Sequence, residues 1–159
     1  MRQQSRSPVA YHTITLYLKK RLLPDLDNIP SRVADSAKVI WINYPNNPTA
    51  ATAGTEFYIS LANWALEHDV VVISDNPYAD VFLDNIKPSS FLNADRAKEV
   101  GVELNSLSKS FNCCGMLIGM LVGNSQVIDA MRKVKSQSDR GPYYPLQEAA
   151  ISALTGPVD

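Results

Sequence analysis

Two uninterrupted apolar runs restrict the fold of this 159-residue chain more than any other feature of its sequence. Lys38–Asn43 is rich in β-branched and aromatic residues and ends shortly before Pro45. Val70–Ser74 is apolar up to its last residue, and Asp75 follows directly. Strands without apolar–polar alternation are typical of parallel sheets that are covered on both faces. We therefore predict an α/β fold with a mostly parallel sheet flanked by helices, in which both runs are buried strands.

The rest of the chain supplies the other elements of such a fold. Phe57, Leu61, Trp64 and Ala65 recur at helical spacing, which predicts an amphipathic helix. A later helix, capped by Asn124, is expected to turn an apolar face inward, formed by Val127, Ile128, Met131 and Val134. The remaining predicted elements are an edge strand at Tyr11–Leu18, a short helix near Ile29–Ala34, strands at Val102–Asn105 and Met116–Val122, and a helix over Pro145–Leu154.

The composition excludes several classes of protein. Fifteen basic and sixteen acidic residues give a net charge of -1, which indicates neither a nucleic-acid partner nor an anionic membrane surface. No apolar run approaches the roughly 20 residues that span a bilayer. The start of the chain lacks the apolar stretch of a signal peptide, so we expect a cytoplasmic protein. The adjacent Cys113 and Cys114 are expected to be buried and reduced. His12 and His68 are expected to be surface or structural residues and not ligands, and no metal site is predicted.

Polar residues follow each predicted strand. Asn47 comes after the first strand, Asp75 and Tyr78 after the second, and Ser106–Lys109 after the third. Ligands of open α/β sheets bind beyond the carboxyl ends of the strands. These three clusters are therefore expected at one edge of the sheet.

The residue types in these clusters suit one kind of cofactor. Lys109 lies among small hydroxyl residues and is a candidate amine nucleophile. Asp75 is able to hold a cationic nitrogen, while Tyr78 and Asn47 are able to hydrogen-bond a phenolate oxygen. An amine for an imine, an acid for the ring nitrogen and donors for the ring oxygen are what pyridoxal 5'-phosphate requires.

Three ordered motifs carry a family resemblance. Asn43–Thr49, Ser74–Asp80 and Ser106–Asn112 resemble the class I/II pyridoxal-phosphate-dependent aminotransferases of the aspartate aminotransferase type, which have the fold type I arrangement. Lys98–Glu103 and Met131–Ser136 are most similar to the LL-diaminopimelate aminotransferase-like branch. The resemblance implies that residues 1–159 form the central part of the cofactor-binding large domain. It also implies that an N-terminal segment and a C-terminal small domain are missing.

The resemblance also implies roles for individual residues. Lys109 would hold the cofactor covalently and then move the substrate proton, and Asp75 would pair with the ring nitrogen. Asn47 and Tyr78 would hydrogen-bond the phenolic oxygen of the ring. The implied reaction transfers an amino group between an amino acid and a 2-oxo acid, and full-length members of the family are usually homodimers.

The phosphate subsite departs from the family pattern. Ser106 and Ser108 would reach the phosphate, as the resemblance implies. The family also has an arginine eight positions after the lysine, where this chain has Leu117. Leucine cannot replace the bidentate cation that an arginine offers to a phosphate. Cofactor affinity is therefore expected to be lower, and the isolated chain is expected to have little or no transaminase turnover.

The same residues allow three alternatives to an aminotransferase. The chain could be a non-catalytic remnant that binds cofactor weakly or not at all. It could also belong to another fold type I enzyme, such as a carbon–sulfur lyase or a cyclopropane-forming synthase, because the same cofactor residues serve all of these reactions. A plain nucleotide-binding domain is disfavoured, since no Gly-x-Gly-x-x-Gly run and no Walker lysine is present. No residue identifies the substrate side chain, although the branch resemblance points to diaminopimelate or a related amino acid.

Overall fold

A computed structural model describes residues 10, 12–14, 22–83 and 86–157 of the chain. The elements follow one another as α1 (Ser31–Ala34), β1 (Val39–Asn43), α2 (Thr55–Glu67), β2 (Val71–Asp75), α3 (Ala97–Val100), β3 (Gly101–Ser106), α4 (Leu107–Ser110), β4 (Gly119–Gly123), α5 (Ser125–Ser138) and α6 (Tyr144–Thr155). Single 3-10 turns lie at Leu26–Asn28, Phe91–Asn93 and Cys114–Met116. Strands and helices alternate along most of this order, as the sequence predicted.

The four strands form one sheet in the order β1-β2-β3-β4. β1, β2 and β3 are parallel, and β4 runs antiparallel to β3. Asn43 lies opposite Asp75, and Asp75 lies opposite Leu104. The carboxyl ends of the three parallel strands therefore lie side by side, and we call this side the carboxyl edge of the sheet. The prediction of a mostly parallel sheet flanked by helices is confirmed.

The main core lies between one face of the sheet and α2. Tyr58 and Leu61 of α2 are fully buried in one apolar cluster with Ile42, Val72 and Phe91. Phe57 and Trp64, which the periodicity placed on the inner face of this helix, are only partly buried. α2 matches the predicted helix closely, and its packing fixes the orientation of the strands that end at the carboxyl edge.

The opposite face of β1 is not buried, and this corrects the sequence prediction. Ile40 and Ile42 point into the core, whereas Trp41 is 60% exposed and Val39 is exposed as well. β1 is an edge strand of the described sheet, and α2 covers only one of its faces. α5 contacts β3 and β4, at the other side of the sheet. A continuous apolar run therefore does not correspond to burial on both faces here.

Helix α5 is capped as predicted, but its inner face is shorter than predicted. The side chain of Asn124 accepts hydrogen bonds from the backbone N–H groups of Gln126 and Val127, over 3.0 and 3.2 Å. Val127 and Ile128 are half-buried, whereas Met131 is exposed and Val134 is 65% exposed. The inner face expected at Met131 and Val134 is therefore wrong, because partial burial is confined to the first turns of the helix.

Other predictions are met in part. The edge strand expected at Tyr11–Leu18 falls mostly on residues outside the described part, and its described residues 12–14 are not in a strand. Cys113 and Cys114 are free thiols. Cys113 is half-buried and Cys114 is exposed, because both lie in the turn between α4 and β4. Burial of both was therefore wrong. The His68 ring lies against Trp64 and 3.8 Å from a carboxylate oxygen of Asp35, a structural position.

Two negative findings apply to the described residues. None of their helices is long and apolar enough to cross a membrane. Within the same ranges, no group of three or more His, Cys, Asp or Glu side chains is placed to hold a metal ion.

The buried Tyr44 predicts a loss of stability at alkaline pH. Its hydroxyl donates to the backbone carbonyl of Leu22 over 2.7 Å, and burial raises its pKa to about 12. Above a pH of about 10 the unfolded chain ionises this phenol while the folded chain does not, so the free energy of unfolding falls until the pH passes the folded pKa. The pKa of Tyr58 is raised as well, mainly by burial and then by the charge of Glu103.

The measurement is urea unfolding followed by circular dichroism at a series of pH values. We expect Tyr44 to contribute a fall of about 2 kcal/mol in the free energy of unfolding between pH 9 and 12, and Tyr58 to add to it. In the Tyr44→Phe variant the decline over that interval is expected to be shallower. An equally steep decline in that variant would show that Tyr44 does not contribute.

Candidate active site

The end of β2 is held from both sides. Asn43 at the end of β1 donates its side-chain N–H to the backbone carbonyl of Asp75 over 2.9 Å. On the other side, the backbone N–H of Asn76 donates to the carbonyl of Leu104 over 2.9 Å, and the Asn105 side chain donates to the carbonyl of Asn76 over 3.3 Å. The backbone that carries the Asp75 carboxylate is therefore anchored to β1 and to β3.

Asp75 and Ser106 lie on the same face of the sheet. Successive strand residues point to opposite faces, and paired residues share a face. Since Asp75 is paired with Leu104, two residues before Ser106, the carboxylate and the hydroxyl share a face. Ser74 and Glu103 are buried on the other face, toward α2. The carboxyl edge therefore presents an acid and a hydroxyl on the face that α2 does not cover.

Lys109 is carried by the turn that continues β3. The Ser106 hydroxyl caps this turn by accepting a hydrogen bond from the backbone N–H of Ser108 over 3.2 Å. Leu107 is buried, and its N–H donates to the carbonyl of Ile118 over 3.1 Å. Lys109 itself is exposed, with its Nζ 5.9 Å from the centre of the Tyr78 ring. The structure therefore brings together an amine and a phenol that are 31 positions apart in the sequence.

The turn that carries Tyr78 is tied to α4 by a contact that sequence reasoning missed. The Ser110 hydroxyl donates to a carboxylate oxygen of Asp80 over 3.3 Å. The same carboxylate forms an ion pair with Lys87, at 3.1 Å. Asp80 and Ser110 each lie within two residues of a predicted site residue and inside a family-like motif, and this was the signal in the sequence that could have indicated the link.

Asn47 lies in the turn after β1 and is connected to Asp75 through Asn43. The backbone N–H of Asn47 donates to the side-chain oxygen of Asn43 over 3.1 Å, and the Asn43 side chain also donates to the Asp75 carbonyl. The Asn47 residue is exposed at this edge. Asn43 was missed as a site residue, although it opens the first family-like motif. It couples the β1 turn to the position of the acid.

Leu117 is placed close to the hydroxyl residues but turns outward. It is 86% exposed and adopts a left-handed backbone conformation, with φ of 52°. Its neighbour Ile118 accepts the hydrogen bond from Leu107, and Gly119 pairs with Ser106. The position where the family has an arginine therefore lies beside the Ser106–Ser108 segment, and it carries an apolar side chain.

Solved structures place the fold in a known class. BacF from Bacillus subtilis in its substrate-bound form matches with a TM-score of 0.86 and 40% identity, over 91% of this chain and 36% of that one. A probable N-succinyldiaminopimelate aminotransferase from Thermus thermophilus matches with a TM-score of 0.84 and 35% identity, over 92% and 39%. An aspartate aminotransferase from Thermus thermophilus, at 0.78 and 32%, covers 89% and 36%. The fold is that of the fold type I aminotransferases.

Sequence comparison identifies the family. The model of the family "Aminotransferase class I and II" matches residues 7–158, and the chain belongs to this family. The LL-diaminopimelate aminotransferase of Dehalococcoides mccartyi is 52% identical over 134 residues, which are 84% of this chain and 34% of that protein. The LL-diaminopimelate aminotransferase of Aquifex aeolicus is 46% identical over 146 residues, 92% and 38%. The chain thus spans somewhat more than a third of the length of these curated relatives, and the branch predicted from its motifs is confirmed.

Proposed function

We propose that the chain carries part of a pyridoxal-phosphate centre that transfers amino groups between an amino acid and a 2-oxo acid, with Lys109 as the attachment residue. The observation that carries this proposal is the Lys109 amine facing the Tyr78 ring at 5.9 Å, beside the strand ends that bear Asp75 and Ser106. Family membership supports the reaction class.

The donor set suits this cofactor group by group. Pyridoxal phosphate offers an aldehyde, a basic ring nitrogen, a phenolic oxygen and a phosphate. The chain offers an amine at Lys109, a carboxylate at Asp75 and a phenol at Tyr78, with an amide at Asn47. Hydroxyls for the phosphate come from two further residues, Ser106 and Ser108. When bound, this cofactor withdraws electrons from the substrate α-carbon and makes its proton removable.

Each residue then has a defined task. The Nζ of Lys109 would hold the cofactor and would serve as the base that removes the proton from the substrate α-carbon. The Asp75 carboxylate favours the protonated ring nitrogen, because a nearby opposite charge stabilises the charged form. Tyr78 and Asn47 hydrogen-bond the phenolic oxygen. The anchored backbone of Asp75 keeps the acid from adjusting its position during the reaction.

The phosphate subsite is the weak part of this centre. The Ser106 oxygen accepts a hydrogen bond from the Ser108 N–H, so its own hydroxyl hydrogen is still able to point at an anion. Hydroxyls alone bind a dianion less strongly than a guanidinium does. Leu117 therefore favours the alternative in which this chain binds cofactor weakly. The labelling experiment below distinguishes a functional cofactor site from such a remnant.

The whole protein is proposed to act on diaminopimelate or a related amino acid in amino-acid biosynthesis, because its similar relatives are named for that substrate. We further propose a homodimer in the cytoplasm, as the family and the composition suggest.

One experiment tests the proposed function directly. The full chain is mixed with pyridoxal phosphate, imine absorption is recorded, borohydride reduces the adduct, and peptide mass mapping locates the label. We expect label on Lys109 in excess over the exposed Lys133 of α5. Adding an amino acid and looking for the aminated cofactor then tests the chemistry, of which the isolated chain is expected to show little or none. Equal label on the surface lysines, or no label, would contradict the proposal.

A further inference from the structure

A buried carboxylate lies behind the candidate site, on the sheet face toward α2. Glu103 of β3 is 7% exposed, and three groups donate hydrogen bonds to it. Its Oε2 accepts from the Ser74 hydroxyl over 3.2 Å and from the backbone N–H of Phe91 over 3.0 Å. Its Oε1 accepts from the Ser90 hydroxyl over 2.8 Å. Both oxygens are thus engaged, and the proposed reaction assigns this carboxylate no task.

The three donors mark the two ends of one segment. The chain leaves β2 after Ser74 and Asp75, passes through the turn that carries Tyr78, and returns at Ser90 and Phe91. We call the described residues of this segment, 76–83 and 86–91, the site loop. Since Ser74 precedes the loop and Ser90 and Phe91 end it, a single side chain holds both of its ends. That side chain belongs to β3, which leads directly to Ser106 and Lys109.

The surroundings of Glu103 leave little room for adjustment. The Phe91 ring is fully buried and packs so closely on β3 that a methyl group on Gly101 would come within 2.7 Å of it. A buried donor that loses its acceptor destabilises the folded chain. Three donors converge here, of which the Ser74 hydroxyl and the Phe91 N–H are buried and the Ser90 hydroxyl is partly buried. Charge-assisted hydrogen bonds of a carboxylate are also stronger than neutral ones. The base of the site loop is therefore held rigidly only while an acceptor of this shape is present.

We propose that Glu103 is a positioning residue, which clamps both ends of the site loop to β3 and thereby sets the position of Tyr78 and Asp75 relative to Lys109. This inference rests on the proposed function, because the quantity that it controls is the reactivity of Lys109 toward the cofactor. Glu103 lies on the opposite sheet face from Asp75, so it acts through the backbone and not by contact with a ligand.

The test compares Glu103→Leu with Glu103→Gln in the full chain. The measured quantity is the ratio of borohydride-fixed pyridoxal phosphate on Lys109 to that on Lys133. Leucine leaves all three donors without an acceptor, and we expect the ratio to fall about tenfold. Glutamine keeps an oxygen for Phe91 and Ser74, and its amide can donate to Ser90 after the hydroxyl rotates, so the ratio is expected to stay within about threefold of the unmutated chain.

Leu61→Ala is the matched control, because it removes a buried side chain of α2 and leaves the three hydrogen bonds to Glu103 in place. It is expected to lower the melting temperature but to leave the labelling ratio unchanged. A preserved ratio in Glu103→Leu would overturn the inference, and so would an equal loss in Leu61→Ala. If Glu103→Leu does not fold, Ser90→Ala decides. It removes one donor, and its ratio is expected to fall about threefold, whereas an unchanged ratio would overturn the inference.

The failure of the proposed function would look different. In that case the unmutated chain itself would show no preference for Lys109, and the comparison of variants would lose its basis. A preference in the unmutated chain that survives Glu103→Leu refutes the positioning role alone.

Discussion

The Lys109→Ala chain is expected to lose the covalent cofactor adduct at this site, with at least about a hundredfold less imine absorption and fixed label than the unmutated chain. Lys87, which also lies near the Tyr78 turn, pairs with Asp80 at 3.1 Å and is therefore a poor replacement. Lys109 is exposed, so its removal is expected to change the free energy of unfolding by no more than about 0.5 kcal/mol. The loss of label would then report chemistry and not unfolding.

Two variants control this prediction. Lys109→Arg keeps a positive charge near Tyr78 but offers no amine that forms an imine, so it is expected to behave like alanine in labelling. Lys133→Ala removes an exposed lysine of α5 and is expected to leave the adduct intact. Absorption near the unmutated level in Lys109→Ala, with label moved to another lysine, would refute the assignment of Lys109. Circular dichroism of each variant verifies the fold.

The second large effect is expected from Leu117→Arg. A charge-assisted contact to the phosphate is worth roughly 1.5 to 3 kcal/mol, so the affinity for pyridoxal phosphate should rise about ten- to a hundredfold. The position is suitable because Gly119 pairs with Ser106 and Ile118 is bonded to Leu107, which places residue 117 beside the hydroxyl residues. Leucine already adopts the left-handed conformation there, and arginine, which is also unbranched at Cβ, adopts it at a similar cost.

Pyridoxal without its phosphate supplies the control for this variant. The dissociation constants of pyridoxal phosphate and of pyridoxal are measured by absorption titration for the unmutated chain, for Leu117→Arg and for Leu117→Met. Only the arginine variant should bind the phosphorylated form more tightly, and the affinity for pyridoxal should stay nearly constant. An equal gain for both ligands, or a gain with methionine, would show that the phosphate site has been placed wrongly.

Much of the candidate site could be predicted because it depends on local patterns and one topological rule. The predicted strands agree with β1, β2 and β3 to within one or two residues, and the polar residues at or after their ends include Asp75 and Ser106. Parallel strands end at a common edge of the sheet, so the residues that follow them could be predicted to lie close together without any known distance. The capping of α5 by Asn124 was equally local, since its partners lie two and three residues away.

Other features could not be predicted, because they depend on partners that are far apart in the chain. Asn43 reaches the Asp75 carbonyl across 32 positions, and Asp80 meets Ser110 across 30. The burial of one face of β1 and the exposure of Trp41 follow from which helix covers which face. A strand that is covered on one face and a strand that is covered on both can have the same apolar sequence.

The sequence by itself determined the fold class, the strand ends and the set of candidate groups around Lys109. These follow from periodicity, from residue chemistry and from motifs that are each contained within a few residues. Only the tertiary structure decided how those groups are held. The alignment of β2 with β3 brings Ser74 to Glu103, and the return of the site loop brings Ser90 and Phe91 to the same carboxylate. These hydrogen bonds form only after the strands and the loop have packed, because the donors and the acceptor lie in different segments of the chain.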